Sequence, residues 1–265
     1  MPRADAVDIV LVDNSDKAGE RERAEAAAGA HGRVRLLRAE GALGYFGAAR
    51  FALTTRAGLP SAPEWVIVSN ADIAFPDAAF FDELIRSHAV APSAVIAPAI
   101  LSDRTGADQN PGMAERPSGR RMRFLRAAFS TYPTCLAYHL ASYVKVRLLA
   151  AWNPLRASLR GLRARASAPS APYAIYAPHG AFMIFHRSYF DRGGTFDHGA
   201  FLFGEEIFIA ETCRRLGLAV VHDPRLRVRH REHVSTGMFP SRKVARFERE
   251  ANAYLVGEFF SPSAA

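Results

Sequence analysis

The chain has 265 residues, 49% of them hydrophobic, and a formal net charge of +8, which suits one large globular domain and excludes a fibrous or disordered chain. No apolar run approaches the ~20 residues of a spanning helix, and the opening Met-Pro-Arg-Ala-Asp-Ala-Val-Asp has no apolar signal segment. The two cysteines, Cys135 and Cys213, are far apart and lack metal-ligand spacing, so a disulfide scaffold or a zinc site is not expected and a reducing compartment is the simpler setting.

In chain order, Val7–Val12 is a short β-branched run and reads as a buried strand, closed by the turn residues Asp13 to Asp16. The Ala- and Glu-rich stretch 20–30 predicts a helix stopped near Gly32, and Val34–Leu37 a second strand. A Gly-rich loop, Gly41–Gly47, leads into a helix from about Ala48 to Ala57. Trp65–Ser69 predicts a third strand ending at Asn70-Ala-Asp-Ile73, Pro76–His88 a helix, and Ala94–Ala97 a fourth strand. Such alternation predicts an α/β fold, a mostly parallel sheet with helices on both faces. Ligands of such sheets gather at the carboxyl ends of strands, where Asp13 and Asp72 both fall.

The middle of the chain breaks this rhythm. Residues 102–119 are polar with Pro and Gly and read as a long loop. Residues 134–166 predict basic helix, with Val144, Leu148, Trp152, Leu155, Leu159 and Leu162 as an amphipathic stripe. Pro154 interrupts it, and Asn153 can cap a second helix there. Between Arg116 and Arg165 lie eleven Lys or Arg and no Asp or Glu, more than the whole chain's excess of +8. The basicity therefore belongs to a helical insert, 116–166. Two readings stand: a helical hairpin packed on the core with solvated arginines, or a helix lying on an anionic membrane surface. The Ala/Ser/Pro-rich stretch 166–172 reads as a linker back to the main domain.

Beyond it, Ala174–Ala177 and Gly180–Phe185 predict strands, Gly193-Gly194 a turn, and Ala219–His222 a strand ended by Asp223-Pro224, with Arg227–His233 following. Between them sits Phe201-Leu-Phe-Gly-Glu-Glu-Ile-Phe208. Glu205 and Glu206 open a helix that continues with Glu211, Arg214 and Arg215. The plain reading is two first-turn glutamates stabilised by the helix dipole. The sharper one is a general base whose pKa is raised by its apolar flank.

The ordered set is a strand ending in Asp-Asn-Ser, a Gly-rich loop, Ser-Asn-Ala-Asp, Gly-Ala-Phe-Met-Ile-Phe, Gly-Glu-Glu, then a strand and His. It resembles the GT-A fold of family 2 inverting glycosyltransferases, particularly bacterial capsule and rhamnosyl-type members, from about Val7 to Thr236 apart from the basic insert. The resemblance implies one GT-A-like domain over 1–265. Asp13 with Asn14 would hold the nucleotide base, which favours UDP- or dTDP-type donors, although an Asx turn explains the same residues. Gly44 and Gly47 would bring backbone close to the nucleotide. Arg50, where the family has Asn, would meet a phosphate or simply be solvated. Asn70 and Asp72 resemble the metal motif with one carboxylate retained, and His230 the family's late His, so Asp72 and His230 would hold Mg²⁺ or Mn²⁺. His222 and His233 are weaker choices. His179 and Gly180 lie where the acceptor and donor-sugar pocket forms. Glu206 takes the place of the catalytic Asp, with Glu205 before it; either could be the base, and Glu206 is the first choice.

The implied reaction is a single in-line displacement onto a glycan or lipid-linked acceptor in surface polysaccharide synthesis. It would take place in the cytoplasm, peripherally at the inner face of the membrane, with no nucleic-acid partner. One departure stands out. The family opens with a strand–helix unit of roughly 30 residues, and only a handful precede Val7 here. The chain is read as lacking that unit, which predicts unpaired sheet edges. A catalytically impaired pseudo-transferase or a binding module is thus the alternative. A nucleotidyltransferase would need a Gly/Arg/Lys-rich loop after the first strand, which is not there.

Overall fold

Residues 7–14, 18–30, 32–55, 62–90, 92–152, 170–232 and 240–261 are described by a computed structural model. The first half holds β1 (Ile9–Asp13), α1 (Ala18–Gly29), β2 (Val34–Arg38), α2 (Tyr45–Thr54), β3 (Trp65–Ser69), β4 (Ile73–Ala74), α3 (Phe80–Val90) and β5 (Val95–Ser102). The insert supplies α4 (Gly119–Ala128) and α5 (Tyr132–Trp152). Then come β6 (Tyr173–Ile175), β7 (Phe182–His186), α6 (Arg187–Asp191), α7 (Glu205–Arg215), β8 (Val220–His230) and α8 (Arg242–Phe259).

The α/β class holds. The main sheet runs β3-β7-β5-β8-β4, with β6 also on β8. Its longer strands β3, β5 and β8 share one direction, because β7 is antiparallel to both β3 and β5 while β5 and β8 are parallel. The parallel expectation is therefore interrupted by one reversed strand, β7, and by the short antiparallel strands β4 and β6. A reversed strand begins where its neighbours end. This brings the start of β7 to the carboxyl ends of β3, β5 and β8.

β1 and β2 form a separate parallel pair. Among the described residues no strand covers the outer edge of β3, and Ile9 of β1 is 52% exposed.

Side chains of β7 alternate between two cores, as the two-residue period of a strand demands. Met183 and Phe185 pack with Phe46, Phe196, Phe208, Leu255 and Phe259 beneath α2, α7 and α8. Phe182 and Ile184 pack with Phe80, Leu84, Ile100 and Val228 under α3. Each such side chain contributes about 1.5–3 kcal/mol of burial, so the strand that seeds the site is clamped from both faces.

Several boundaries differ from the sequence reading. α2 begins at Tyr45, inside the Gly-rich loop, because Gly44 takes φ 74° and caps the helix. β8 does not end at Asp223-Pro224: its pairing with β5 shifts register there and resumes from Arg227 to His230. Asp223 accepts from Arg225 and Ser87 instead. α4 lies inside the helical insert read at 116–166 and starts where the 102–119 loop ends; Ser118 caps it by accepting from the Arg121 N–H.

The insert is rooted by Phe129 and Cys135, which pack on Ala245 of α8. Of the expected stripe, Val144 and Leu148 fall among the described side chains of α5, and both are exposed, as are Leu140, Val146 and Leu149. Asn153, Pro154, Leu155, Leu159, Leu162, the 166–169 part of the linker and His233 lie outside the described residues, as does the side chain of Trp152. No helix among the described residues is long and apolar enough to cross a membrane.

Candidate active site

The site grows from the edge where β7 begins. Ser69 pairs with Phe182, and the Asn70 N–H donates to the Ala181 carbonyl at 2.9 Å. The β3 end thus lies beside His179-Gly180. The Asn110 side chain accepts from the His179 N–H at 2.8 Å and donates to the Pro98 carbonyl at 2.7 Å. The His179 ring in turn accepts from the Ala181 N–H at 3.2 Å. Burial, then the neighbouring His230, lower the His179 pKa, so this imidazole stays neutral.

β4 pairs with the end of β8, Ile73 opposite His230. That brings Asp72 Oδ1 to 3.3 Å from His230 Nε2. His230 Nδ1 lies 2.8 Å from Gln109 Oε1, while Gln109 Nε2 donates to Glu232 at 2.7 Å. With the Gln amide so oriented, Oε1 can only accept, and Nδ1 must carry a proton. His230 Nε2 then either donates to Asp72 as an imidazolium or presents a lone pair toward the same space. The second state is a one-carboxylate, one-imidazole donor pair, a set that fits Mg²⁺, Mn²⁺ or a neighbouring transition ion sharing its sphere with phosphate oxygens. Asp72 and His230, predicted far apart in sequence, do meet.

α7 supplies the carboxylates. Phe203 and Gly204 enter the helix with φ 74° and 81°, both left-handed. A non-glycine there is strained, and such strain concentrates at functional loops. Glu205 is buried, and its Oε1 accepts from the Phe203 N–H at 3.0 Å. Burial, reinforced by Glu206, pushes the Glu205 carboxyl up to about 7. Glu206 is half-buried and is also raised, by burial, against hydrogen bonds from its own and the Gly180 N–H. It rests against Gly180 so closely that a β-carbon there would lie 2.5 Å from Glu206 Oε1. The predicted Gly180 and Glu206 are therefore one feature: the glycine makes room for the carboxylate.

Tyr45 joins this cluster and was missed in the sequence. Its hydroxyl donates to the Gly180 carbonyl at 2.6 Å. Burial, then Glu205 and Glu206, raise its pKa, so it remains a neutral donor. The one available signal was an aromatic residue directly after Gly44. That glycine is obligatory, since a β-carbon would sit 2.0 Å from the Phe201 carbonyl oxygen. Gln109 and Asn110 were also missed; nothing distinguishes them within a polar loop.

The remaining predicted residues take other places. Asp13 is buried at the end of β1, 4.0 Å from Arg21 Nε. Asn14 clamps the Gly-rich loop, accepting from the Leu43 N–H at 2.6 Å and donating to the Gly44 carbonyl at 3.2 Å. It thereby connects Asp13 to Tyr45. Arg50 pairs with Asp197 at 2.7 Å, both exposed, not with the cluster. His222 is structural: Nδ1 lies 2.9 Å from the Ala97 carbonyl and Nε2 3.3 Å from Asp108. Glu211, the third carboxylate of α7, is fully buried and bonded to Arg116, Arg214 and Tyr176. Burial alone would raise it, but these donors hold it low.

No protein-family profile matches the sequence, and no characterised protein matches it in sequence. Solved structures do match. GalNAc-T7 with UDP, GalNAc and Mn²⁺ superposes with a TM-score of 0.53 at 17% identity, covering 88% of this chain and 39% of that one. The fold is of the GT-A type. The mannosyltransferase PcManGT from Pyrobaculum calidifontis, with GDP-Man and Mn²⁺, aligns over 97% of this chain and 63% of its own, at 15% identity and a TM-score of 0.45. This chain thus spans less than two thirds of either.

Proposed function

We propose that the protein is an inverting glycosyltransferase of family 2 type. It would move a sugar from a UDP- or dTDP-type donor to a glycan or lipid-linked acceptor in bacterial surface polysaccharide synthesis. The observation that carries this reading is the convergence, at one sheet edge, of a raised glutamate pair under Gly180 with Asp72 and His230. A base and a diphosphate-neutralising position are what in-line sugar transfer requires.

In this reading Asp13, at the end of β1, accepts from the nucleotide base, and Gly44 lets backbone approach it. Asp72 and His230 hold a divalent cation, Mg²⁺ or Mn²⁺, whose role when bound is to neutralise charge on the departing diphosphate. Glu206 takes the proton of the acceptor hydroxyl as that oxygen attacks the anomeric carbon opposite the leaving group. Its raised pKa makes it a stronger base than an exposed carboxylate, at the cost of a smaller ionised fraction at low pH. Glu205, near pH 7, shares the charge of the pair. Tyr45 fixes Gly180 and hence the seat of Glu206.

The exposed Val144, Val146, Leu148 and Leu149, interleaved with Lys145 and Arg147, support a peripheral position on an anionic cytoplasmic membrane face. Apolar residues insert while cations meet headgroups.

The test is calorimetric titration with UDP and dTDP, with and without Mn²⁺, followed by an assay of nucleoside diphosphate release. Metal-dependent nucleotide binding lost in Asp72→Ala, and turnover lost in Glu206→Gln with binding intact, are the expected results. Undiminished turnover in both Glu205→Gln and Glu206→Gln would refute the assigned chemistry.

A further inference from the structure

A second polar cluster lies away from this edge, where the insert meets the C-terminal helix. Cys135 and His139 are four residues apart on α5 and so share one face of the helix. Glu248 reaches them from α8. Cys135 Sγ is 3.2 Å from Glu248 Oε2, and His139 Nε2 is 3.1 Å and 3.3 Å from the two Glu248 oxygens. One ligand atom from each residue lies within 4.8 Å of the others. A tetrahedral Zn²⁺ with bonds of about 2.0 Å to N and O and about 2.3 Å to S spaces its ligands roughly 3.3–3.6 Å apart. The two contacts to Glu248, at 3.1–3.3 Å, lie within a few tenths of an ångström of that spacing, and Cys135 and His139 are no more than 4.8 Å apart.

Its surroundings suit an ion as well. Cys135 is fully buried, against Phe129 and Ala245. The side chains of His139 and Glu248 are 31% and 15% exposed, so the fourth direction is open to water. Phe129 meets the His139 ring edge-on at 5.7 Å, restricting its rotation. Thiolate, imidazole and carboxylate together select a borderline-soft ion rather than Mg²⁺.

We propose that Cys135, His139 and Glu248 form a site for a thiophilic divalent transition ion of the Zn²⁺ type, with a water as fourth ligand, which staples α5 to α8. Binding releases the Cys135 thiol proton to solvent as the Sγ–metal bond forms, leaving a thiolate compensated by the ion. The site is distinct from the Asp72–His230 pair and independent of the proposed transfer reaction. The stapled element is the basic insert, so the ion would fix the insert's angle on the domain. Without an ion the same three groups would be a hydrogen-bonded network, and the test separates the two.

The experiment is titration of the metal-stripped full-length chain with Co²⁺, read by absorbance. One equivalent should give a thiolate-to-cobalt charge-transfer band in the near ultraviolet, displaced by Zn²⁺. Cys135→Ser should abolish the band, and His139→Ala and Glu248→Gln should each weaken binding more than tenfold. Asp72→Ala should leave the band unchanged, because the Asp72–His230 pair contains no sulfur. Circular dichroism of each variant confirms folding, and Cys135→Ser is near isosteric. Absence of the band in the wild type overturns the proposal. So does a band that survives Cys135→Ser, which would place the thiolate at Cys213, or affinity unchanged in His139→Ala and Glu248→Gln.

Discussion

Glu205 offers the sharpest test of the site's electrostatics. Its carboxyl titrates at about 7 instead of the ordinary 4.5, through burial and then Glu206. At about 1.4 kcal/mol per pH unit, ionising it in place costs roughly 3 kcal/mol. The sign follows from proton counting. Between 4.5 and about 7 the folded chain holds this proton and the unfolded chain does not, so stability falls as pH rises through that window. Glu205→Gln is neutral at every pH and removes the slope, while Gln Oε1 can still accept from the Phe203 N–H. Any cost of burying the amide is the same at all pH values. The variant's stability relative to wild type should therefore grow by roughly 2.5 kcal/mol from about pH 5 to about pH 8. Part of that gain reflects relief of the Glu206 carboxylate. Urea denaturation at several pH values measures it. A difference flat with pH, or one shrinking as pH rises, would refute the buried-pair reasoning.

Further outcomes follow from particular contacts. Gly180→Ala would place a β-carbon 2.5 Å from Glu206 Oε1; because the displaced group is a side-chain end, stability should change by less than about 1 kcal/mol while turnover falls about 100-fold, and wild-type turnover would exclude Glu206 as the seated base. Arg116→Ala removes two of the bonds to the fully buried Glu211. With Arg214 and Tyr176 remaining and Arg116 itself 40% exposed, the loss should be about 1.5–3 kcal/mol, the range for hydrogen bonds to a charged group, read by the same denaturation. Val146→Ser with Leu149→Ser should release the chain from vesicles containing anionic lipid without changing nucleotide affinity; retained vesicle binding would count against the membrane position of α5.

Much of the fold was legible because it is local. The β-branched runs at Val7–Val12 and Trp65–Ser69 and the Ala- and Glu-rich stretch after Glu20 carry their periods in adjacent residues. Their helices and strands form nearly where expected. Asp13, Asp72 and Glu205-Glu206 were visible as polar residues at the ends of apolar runs. Other features were not local. Of the stripe read at Val144, Leu148, Trp152, Leu155, Leu159 and Leu162, the described side chains Val144 and Leu148 are exposed, and spacing does not say what covers them. Asp223-Pro224 signals a stop, yet β8 absorbs it as an irregularity because β5 continues to pair beyond it.

The sequence by itself determined the elements, their order and the residue types at strand ends, since these depend on periodicity and on neighbours a few residues away. Only the tertiary structure decided which of those residues meet. The reversal of β7 puts Gly180 against Glu206, and the pairing of β4 with β8 joins Asp72 to His230. The packing of α5 on α8 brings Cys135 and His139 to Glu248, although the cysteine spacing alone had argued against a zinc site. The raised Glu205 pKa likewise arises from burial by groups distant in sequence, and desolvation is a property of the surrounding volume, which no local pattern encodes.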